Sequence, residues 1–323
     1  RRAPAEQVER ALCEIMDGEA DPAQIAAFLM GLRTLGETVD EIEAGAKILR
    51  ARASRIDTPH DVIDTCGTGG DVAGGNNVST AAALIAAGAG AKVAKHGNRA
   101  VSSKSGSSQV LEELGVNIEA GPERVARCIE EANVGFLYAP MHHSAMRHAA
   151  PVRKSLSLRT LFNLLGPLTN PAGARRQLLG VYHAKWVQPI AEALQRLGSE
   201  RVWVVHGDDG MDELTTTTIS HVVELKDGRL NRFELDPAAL GLPLNSPEAL
   251  KGGNPVHNAK AIDALLDGEP GAFRNIACLN AGAALVIAGK ARDAKEGLEM
   301  AFAMIDDGSA RKALDTLKRV SAE

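Results

Sequence analysis

The stretch Asp64-Thr65-Cys66-Gly67-Thr68-Gly69-Gly70-Asp71 has the composition of an anion cradle. It follows the β-branched pair Val62-Ile63 and leads into Asn77-Val78-Ser79-Thr80, which opens an alanine-rich helical run. Glycines at a strand end let backbone N–H groups approach a phosphate without interference from Cβ. The helix that follows adds unpaired donors and a positive dipole end. The spacing is neither G-x-x-x-x-G-K-[ST] nor G-x-G-x-x-G, which argues against ATP and dinucleotide cradles. Taken alone, such a loop is equally consistent with a tight turn.

A second loop strengthens the anion reading. Lys95-His96-Gly97-Asn98-Arg99 follows a strand-like stretch, and Ser102-Ser103-Lys104-Ser105-Gly106-Ser107-Ser108 comes soon after. A run of charge is usually a solvated face. Here hydroxyls and glycines interleave with the cations at a strand-to-helix junction, which suits phosphate and sugar oxygens. Two such junctions in one parallel sheet would line the same edge, where open α/β sheets bind ligands.

Carboxylates gather in His206-Gly207-Asp208-Asp209-Gly210-Met211-Asp212-Glu213-Leu214-Thr215, after a β-branched run at 202–205. They would repel one another unless they hold a cation or meet basic groups. Beside a polyphosphate site Mg2+ is the natural ion, because it binds through one or two carboxylates plus substrate phosphates. An acidic surface turn is a fair reading of Asp208 and Asp209, less so of Asp212 and Glu213. A further group spans His142, His143, Met146, Arg147, His148, Arg153, Lys154 and Arg159, then Asn163-Leu164-Leu165-Gly166-Pro167-Leu168-Thr169-Asn170-Pro171. Its histidines lack an acidic partner and the H-E-x-x-H logic of a metal site. His148 reads as helix surface or cap. Arg153 is suited to a carboxylate substrate, which needs a rigid bidentate donor. The Gly-Pro and Asn-Pro pairs stiffen the loop that follows.

These groups need a scaffold. The first ~57 residues read as helices only, with apolar residues at Ala11 and Ile15, at Ile25, Phe28, Leu29 and Leu32, and at Val39, Ile42 and Ala46 in helical spacing. Asp21-Pro22 marks a helix start. After Thr58-Pro59 strands and helices alternate. Strands are expected at 62–65, 92–94, 134–138, 178–182 and 202–205, and a hairpin at 222–225 and 230–235 around Asp227-Gly228. The fold class is therefore α/β: a mostly parallel central sheet flanked by helices, with one antiparallel edge, beside a smaller all-α part. The tail from Asn258 reads as helical.

Composition bounds the function. With 323 residues and 45% hydrophobic content the chain can bury a substantial core. A net charge of −5 argues against a general nucleic-acid or membrane-surface binder, and 3% aromatics leave few stacking platforms. Four scattered cysteines without C-x-x-C suggest neither disulfides nor zinc, which suits a reducing cytoplasm. Cys66 reads as a small buried packing residue. No signal peptide or bilayer-spanning run is expected. The chain opens on Arg1-Arg2 without Met, so residues upstream are left open.

In register along the chain, GTGGD (67–71), NVST (77–80), KHGNRAVSSKSGSS (95–108), APVR (150–153), RTLFNLLGPLTNP (159–171) and MDE (211–213) resemble the anthranilate phosphoribosyltransferases over nearly the whole length. That resemblance implies a fold like the pyrimidine nucleoside phosphorylases. A helical domain would occupy 1–58, completed by helices within 153–195, and a large α/β donor-binding domain 59–323. It implies a homodimer formed through the helical domain, and transfer of the 5-phosphoribosyl group of phosphoribosyl pyrophosphate to the anthranilate amine in tryptophan biosynthesis.

Carried over by position, the resemblance implies that Gly70, Asp71, Asn77, Val78, Ser79 and Thr80 hold the donor's phosphates. Lys95, His96, Gly97, Asn98, Arg99, Ala100, Val101, Ser102, Ser103 and Ser107 would wrap them. Two Mg2+ ions per active site would be held by Ser79, Asp212 and Glu213. Gly67, Asn98 and Arg153 would face anthranilate, Arg153 on its carboxylate, with Lys95 and Arg153 acting electrostatically. No residue is assigned as acid or base; His96, His143 or water could take the amine proton. Relatives carry a hydroxyl where Gly75 stands, so its phosphate contact is lost or made by backbone. Many also have Pro at Ser144 and Gly at Ser157. A nucleoside phosphorylase would share the fold, but the pair Asp212-Glu213 counts against a donor lacking pyrophosphate. Charge and composition count against a nucleic-acid-binding paralogue.

Overall fold

The computed structural model describes residues 3–69, 75–100 and 104–323. Among them seven strands form one sheet: β1 (Ile63–Gly67), β2 (Val93–Gly97), β3 (Val134–Tyr138), β4 (Arg176–Gly180), β5 (Arg201–Gly207), β6 (Ser220–Lys226) and β7 (Arg229–Leu235). Their order is β3-β2-β1-β4-β5-β6-β7. β1 to β5 run parallel, while β6 and β7 add the antiparallel edge. The chain leaves β1 toward β2 and β3, then crosses back to β4 and continues the other way. The switch point of this doubly wound sheet lies between the C-terminal ends of β1 and β4, where such sheets open a crevice for ligands.

Strand boundaries depart from the sequence reading in an informative way. β1 and β2 each continue two or three residues beyond the β-branched run, through Gly67 and Gly97. Gly67 lies opposite Gly180, and Gly97 opposite Tyr138. Those final residues are glycines and polar groups with little strand propensity, and tertiary pairing overrides it. β4 begins earlier than expected because the polar pair Arg176-Gln177 pairs with β1 and β5.

Of the three N-terminal helices, Ala5–Asp17, Pro22–Leu35 and Val39–Arg52, the second and third start in capping boxes. Asp21 accepts from Gln24 N at 2.9 Å while Gln24 returns a bond to Asp21 N, and Thr38 and Glu41 do likewise. Each capping box is worth ~1 kcal/mol. These helices bury Val8, Leu12, Leu29 and Ile42 in one core with Leu161, Leu165, Ile190 and the sheet residues Val202 and Val204. The opposite sheet face is covered by the helices Val78–Gly88, Ala272–Ile287, Ala294–Asp306 and Ser309–Ala322. The alanines of the first allow close approach, and a Cβ on Gly88 would lie 2.8 Å from Ala310 N. No helix among the described residues is long and apolar enough to cross a membrane.

Candidate active site

The C-terminal ends of β1 and β2 meet the N-terminus of the Val78–Gly88 helix, and Lys95 joins them. Its side chain is buried, and Nζ donates to Thr65 O at 2.5 Å and to Ser79 Oγ at 3.2 Å. Burial pushes the Lys95 pKa down, opposed by Asp64, Cys66 and Glu213. Thr65 Oγ1 donates to Ser79 O at 3.0 Å, so strand and helix are stitched on both sides of the lysine. Asn77 makes no side-chain cap; its Oδ1 accepts instead from Asn258 Nδ2 at 2.9 Å and Ser105 Oγ at 3.2 Å.

The turn after β5 closes on this cradle. Asp212 Oδ2 accepts from Gly69 N at 2.9 Å, and Glu213 Oε1 accepts from Ser79 N at 3.2 Å. Clearance is minimal. A Cβ on Gly67 would stand 2.5 Å from Asp212 Oδ2, and one on Gly180 would overlap Asp212 O outright. Ser79, Asp212 and Glu213 thus share one place, as hard oxygen donors. The other two carboxylates turn away: Asp208 meets His221 Nε2 at 2.6 Å, and Asp209 accepts from Thr215 and Thr217. Among the described residues no three His, Cys, Asp or Glu side chains cluster as a metal cage. Two carboxylates and a hydroxyl fit Mg2+, which takes its other ligands from phosphates and water.

The second loop is only partly aimed at this place. Arg99 donates from Nε to Tyr138 Oη at 3.1 Å and from Nη2 to Glu112 at 2.9 Å. Asn98 Oδ1 accepts from Arg99 N at 2.7 Å. Ser107 opens the Ser107–Glu113 helix and abuts Gly97, where a Cβ would collide with Ser107 Oγ. Ala100 N and Gly106 N both donate to Gln109 Oε1, which holds the loop's two ends together. Gly75 forms an isolated bridge with Lys251, and Gly252 packs so closely that a Cβ there would collide with Gly75 O. Val78 and Thr80 are buried in the helix start. Gly70, Asp71, Val101, Ser102 and Ser103 lie outside the described residues.

Across β2 the character changes. His96 and His143 are buried with ring centroids 5.1 Å apart, and both Nε2 atoms lack a hydrogen-bond partner among the described residues. Burial holds His96 well below the usual imidazole range, helped by His143 and His142, while a bond to the Gly166 backbone pulls the other way. Burial likewise takes His143 down to about 4, against a bond to the Thr169 backbone. Burial therefore favours the neutral form of both rings. His142 Nδ1 bonds Ser54 O at 2.9 Å, outside this pair.

Arg153, in the short helix Ala150–Leu156, stands 5.6 Å from the Phe162 ring centroid. Among the described residues no carboxylate pairs with it, and burial pushes its pKa down. Arg159 lies 4.0 Å from the Tyr182 ring centroid. Ser157 has φ 50°, a left-handed conformation that favours glycine. His148 sits against Gly18, where a Cβ would come within 2.8 Å of its ring. Cys66 is buried.

Three groups escaped the sequence reading. Asp64 is fully buried and accepts from His96 N at 3.1 Å and Asn170 Nδ2 at 2.7 Å. Asn170 also donates to Ala94 O at 2.8 Å, so the proline loop is fastened under β1 and β2. Asn258 and Asn280 come from helices beyond residue 250, far from any motif. A buried amide inside an otherwise apolar helix was the one signal for Asn280.

Known proteins match nearly the whole chain. Residues 59–311 match the glycosyl transferase family a/b domain, and residues 2–53 match that family's helical bundle domain. The chain is 58% identical over 308 residues to the anthranilate phosphoribosyltransferase of Maricaulis maris, covering 95% of this chain and 91% of that one. It is 55% identical over 322 residues to that of Sinorhizobium medicae, covering 99% and 95%. The crystal structure of anthranilate phosphoribosyltransferase from Thermus thermophilus superposes with a TM-score of 0.94 at 44% identity, covering 100% of this chain and 97% of that one. The Saccharomyces cerevisiae enzyme in complex with PRPP and Mg superposes with a TM-score of 0.88 at 26% identity, covering 98% and 92%.

Proposed function

The chain belongs to the anthranilate phosphoribosyltransferases of the glycosyl transferase family, and on that premise we propose how its own residues carry the reaction. It transfers the 5-phosphoribosyl group of phosphoribosyl pyrophosphate to the amine of anthranilate, releases pyrophosphate, and serves tryptophan biosynthesis. It uses Mg2+. The observation that carries the site assignment is the convergence of Asp212, Glu213, Ser79 and Lys95 on the glycine end of β1.

In this reading the donor's phosphates lie over Gly70, Asp71, Gly75, Asn77, Val78, Ser79 and Thr80, and under Lys95 and the loop from His96 to Ser103 with Ser107. Two Mg2+ ions per site are held by Ser79, Asp212 and Glu213. When bound they neutralise charge building on the leaving pyrophosphate. Lys95 contributes a fixed positive charge in a place closed to water, where such charges act strongly. The barrier lies in breaking the ribose C1–O bond, with oxocarbenium character on the sugar.

Anthranilate then occupies the other side, against Gly67, Asn98 and Arg153. Its carboxylate meets the Arg153 guanidinium, which has no carboxylate of its own among the described residues. The arylamine is neutral at pH 7 and needs no base before attack. Its N–H groups face the bare Nε2 atoms of His96 and His143, which suit a donor and can receive the proton released after attack. Neither imidazole is needed as a strong base.

Residues 1–58 with helices from 153–195 are read as one helical domain, supported by the helical bundle match over 2–53 and by packing of Leu12, Leu29 and Ile42 with Leu161, Leu165 and Ile190, in a core that also reaches the sheet. That domain is proposed to pair two chains as a homodimer, with the exposed Leu35 among the apolar groups it offers. The described cysteines are free, which suits the cytoplasm. The test is the decay of anthranilate fluorescence on mixing protein, phosphoribosyl pyrophosphate and Mg2+. Decay that requires all three supports the reading; no decay at high protein concentration overturns it.

A further inference from the structure

We propose that Asp209 and Asn280, which lie outside the donor cradle, are positioning residues that hold the turn carrying Asp212 and Glu213 ready before any ligand arrives. The inference rests on the assignment of those two carboxylates to Mg2+ and the donor. Adjacent carboxylates repel, so an unsupported turn would splay when no cation is bound. The chain pins it on both flanks.

On the near flank, Asp209 Oδ1 accepts from Met211 N at 3.1 Å. Asp209 Oδ2 accepts from Thr215 Oγ1 at 2.6 Å and from Thr217 Oγ1 at 2.5 Å. Thr215 Oγ1 in turn accepts from Thr217 N at 3.0 Å. One side chain thus ties residue 211 to residues 215 and 217, closing a buckle around 212 and 213. Gly210 turns the chain at φ 87°, and Gly207 leaves room for Asp209, whose Oδ1 would stand 2.5 Å from a Cβ there. This gives a task to the run of four threonines at 215–218.

On the far flank, Asn280 is fully buried in the helix Ala272–Ile287, among residues such as Ile276, Cys278 and Leu279. Its Oδ1 accepts from Leu214 N at 3.0 Å, and its Nδ2 donates to Leu214 O at 2.8 Å and to Ile276 O at 2.9 Å. A primary amide in an apolar helix is costly unless its hydrogen bonds are made. Here they are made to both backbone groups of the residue after Glu213. Supporting contacts of this kind govern metal-site affinity by about 10–100-fold.

The test uses the Thr215→Val/Thr217→Val pair, which removes two hydroxyl donors and keeps the Asp209 charge, together with Asn280→Asp and Asn280→Leu. Three readouts are taken: hydrogen exchange of amides 211–214 without Mg2+, calorimetric titration of phosphoribosyl pyrophosphate at varied Mg2+, and the KM for anthranilate. The expected result is faster exchange confined to the turn. Half-saturating Mg2+ and donor Kd should rise about 10–100-fold, with anthranilate KM unchanged. Folded variants with unchanged exchange and donor binding overturn the proposal. So do equal losses for both substrates accompanied by a lower Tm, since that is a purely structural role. Asp212→Asn/Glu213→Gln serves as the control. If it leaves the Mg2+ dependence intact, the carboxylate assignment itself fails and the proposal with it. If it shifts that dependence while the pin variants do not, the pins alone are refuted.

Discussion

The two sides of the sheet edge differ in how they satisfy buried polar atoms. On the donor side, Lys95, Asp209, Asn77 and Asn280 are hydrogen-bonded within the protein, and the carboxylates of Asp212 and Glu213 already hold backbone N–H groups. On the acceptor side, His96 and His143 each keep a buried Nε2 without a partner among the described residues, and Arg153 rests on an aromatic ring. A buried acceptor without a partner costs about 1–3 kcal/mol, so such atoms persist where something outside the chain completes them. In the proposed reading the donor side is a prebuilt frame for a highly charged ligand, and the acceptor side keeps buried hydrogen-bonding atoms for a small one.

The largest expected effect breaks the frame. Asp212→Asn/Glu213→Gln should lower kcat/KM for phosphoribosyl pyrophosphate by about 1,000-fold and raise the Mg2+ requirement, because losing one electrostatic group of this type costs about 10²–10³ and adjacent groups do not add independently. Steady-state kinetics at several Mg2+ concentrations would show it, and an unchanged metal dependence would erase the contrast between the two sides.

The next effect should fall on the acceptor alone. Arg153→Ala removes a charged hydrogen bond worth about 1.5–3 kcal/mol, which raises the KM for anthranilate roughly 10–100-fold and leaves that for the donor nearly unchanged. Arg153→Lys should recover only part, since it lacks the planar fork. Equal losses for both substrates would place Arg153 in the frame instead.

The smallest effect on turnover is the one read through stability and pH. His143 titrates at about 4 in the folded chain against about 6.5 unfolded, and His96 is shifted in the same direction. Above about pH 6.5 neither state binds the proton, so stability is whole; as pH falls toward 4 the unfolded chain takes it up first. Each such histidine should remove up to about 1.4 kcal/mol per pH unit in that window. Asp64, raised by burial, opposes this at the acid end. Chemical denaturation from pH 7 to 4.5 should show the slope, and His143→Asn should flatten it. No change in slope would mean that His143 is not held neutral.

Much of this contrast was readable in the residues. The glycines at 67–70, the cations at 95 and 99 and the carboxylates at 212 and 213 stand out because their chemistry is unlike that of a core. The alternation after Thr58 pointed to the parallel sheet, since strand and helix periods differ. What stayed hidden was the direction of individual side chains. Nothing in the order Asp208-Asp209-Gly210-Met211-Asp212 says that the second aspartate buckles the turn while the last faces the cradle. Arg99 reads as a phosphate ligand, and nothing in its motif says that its side chain also bonds Tyr138 and Glu112. Asp64 and Asn170 are 106 positions apart, and only the crossover from β3 to β4 brings them together.

Distance along the chain has its own consequence. The bond from Gly69 to Asp212 spans 143 residues, and that from Ser79 to Glu213 spans 134. A nascent chain therefore has no partial cradle, because its halves meet only once β4 has paired with β1 and β5 with β4. A ligand that binds only the finished fold stabilises it by about 2.7 kcal/mol at a hundred times its Kd. A donor that binds only the closed cradle would therefore also protect the chain from proteolysis, in proportion to its concentration over its Kd.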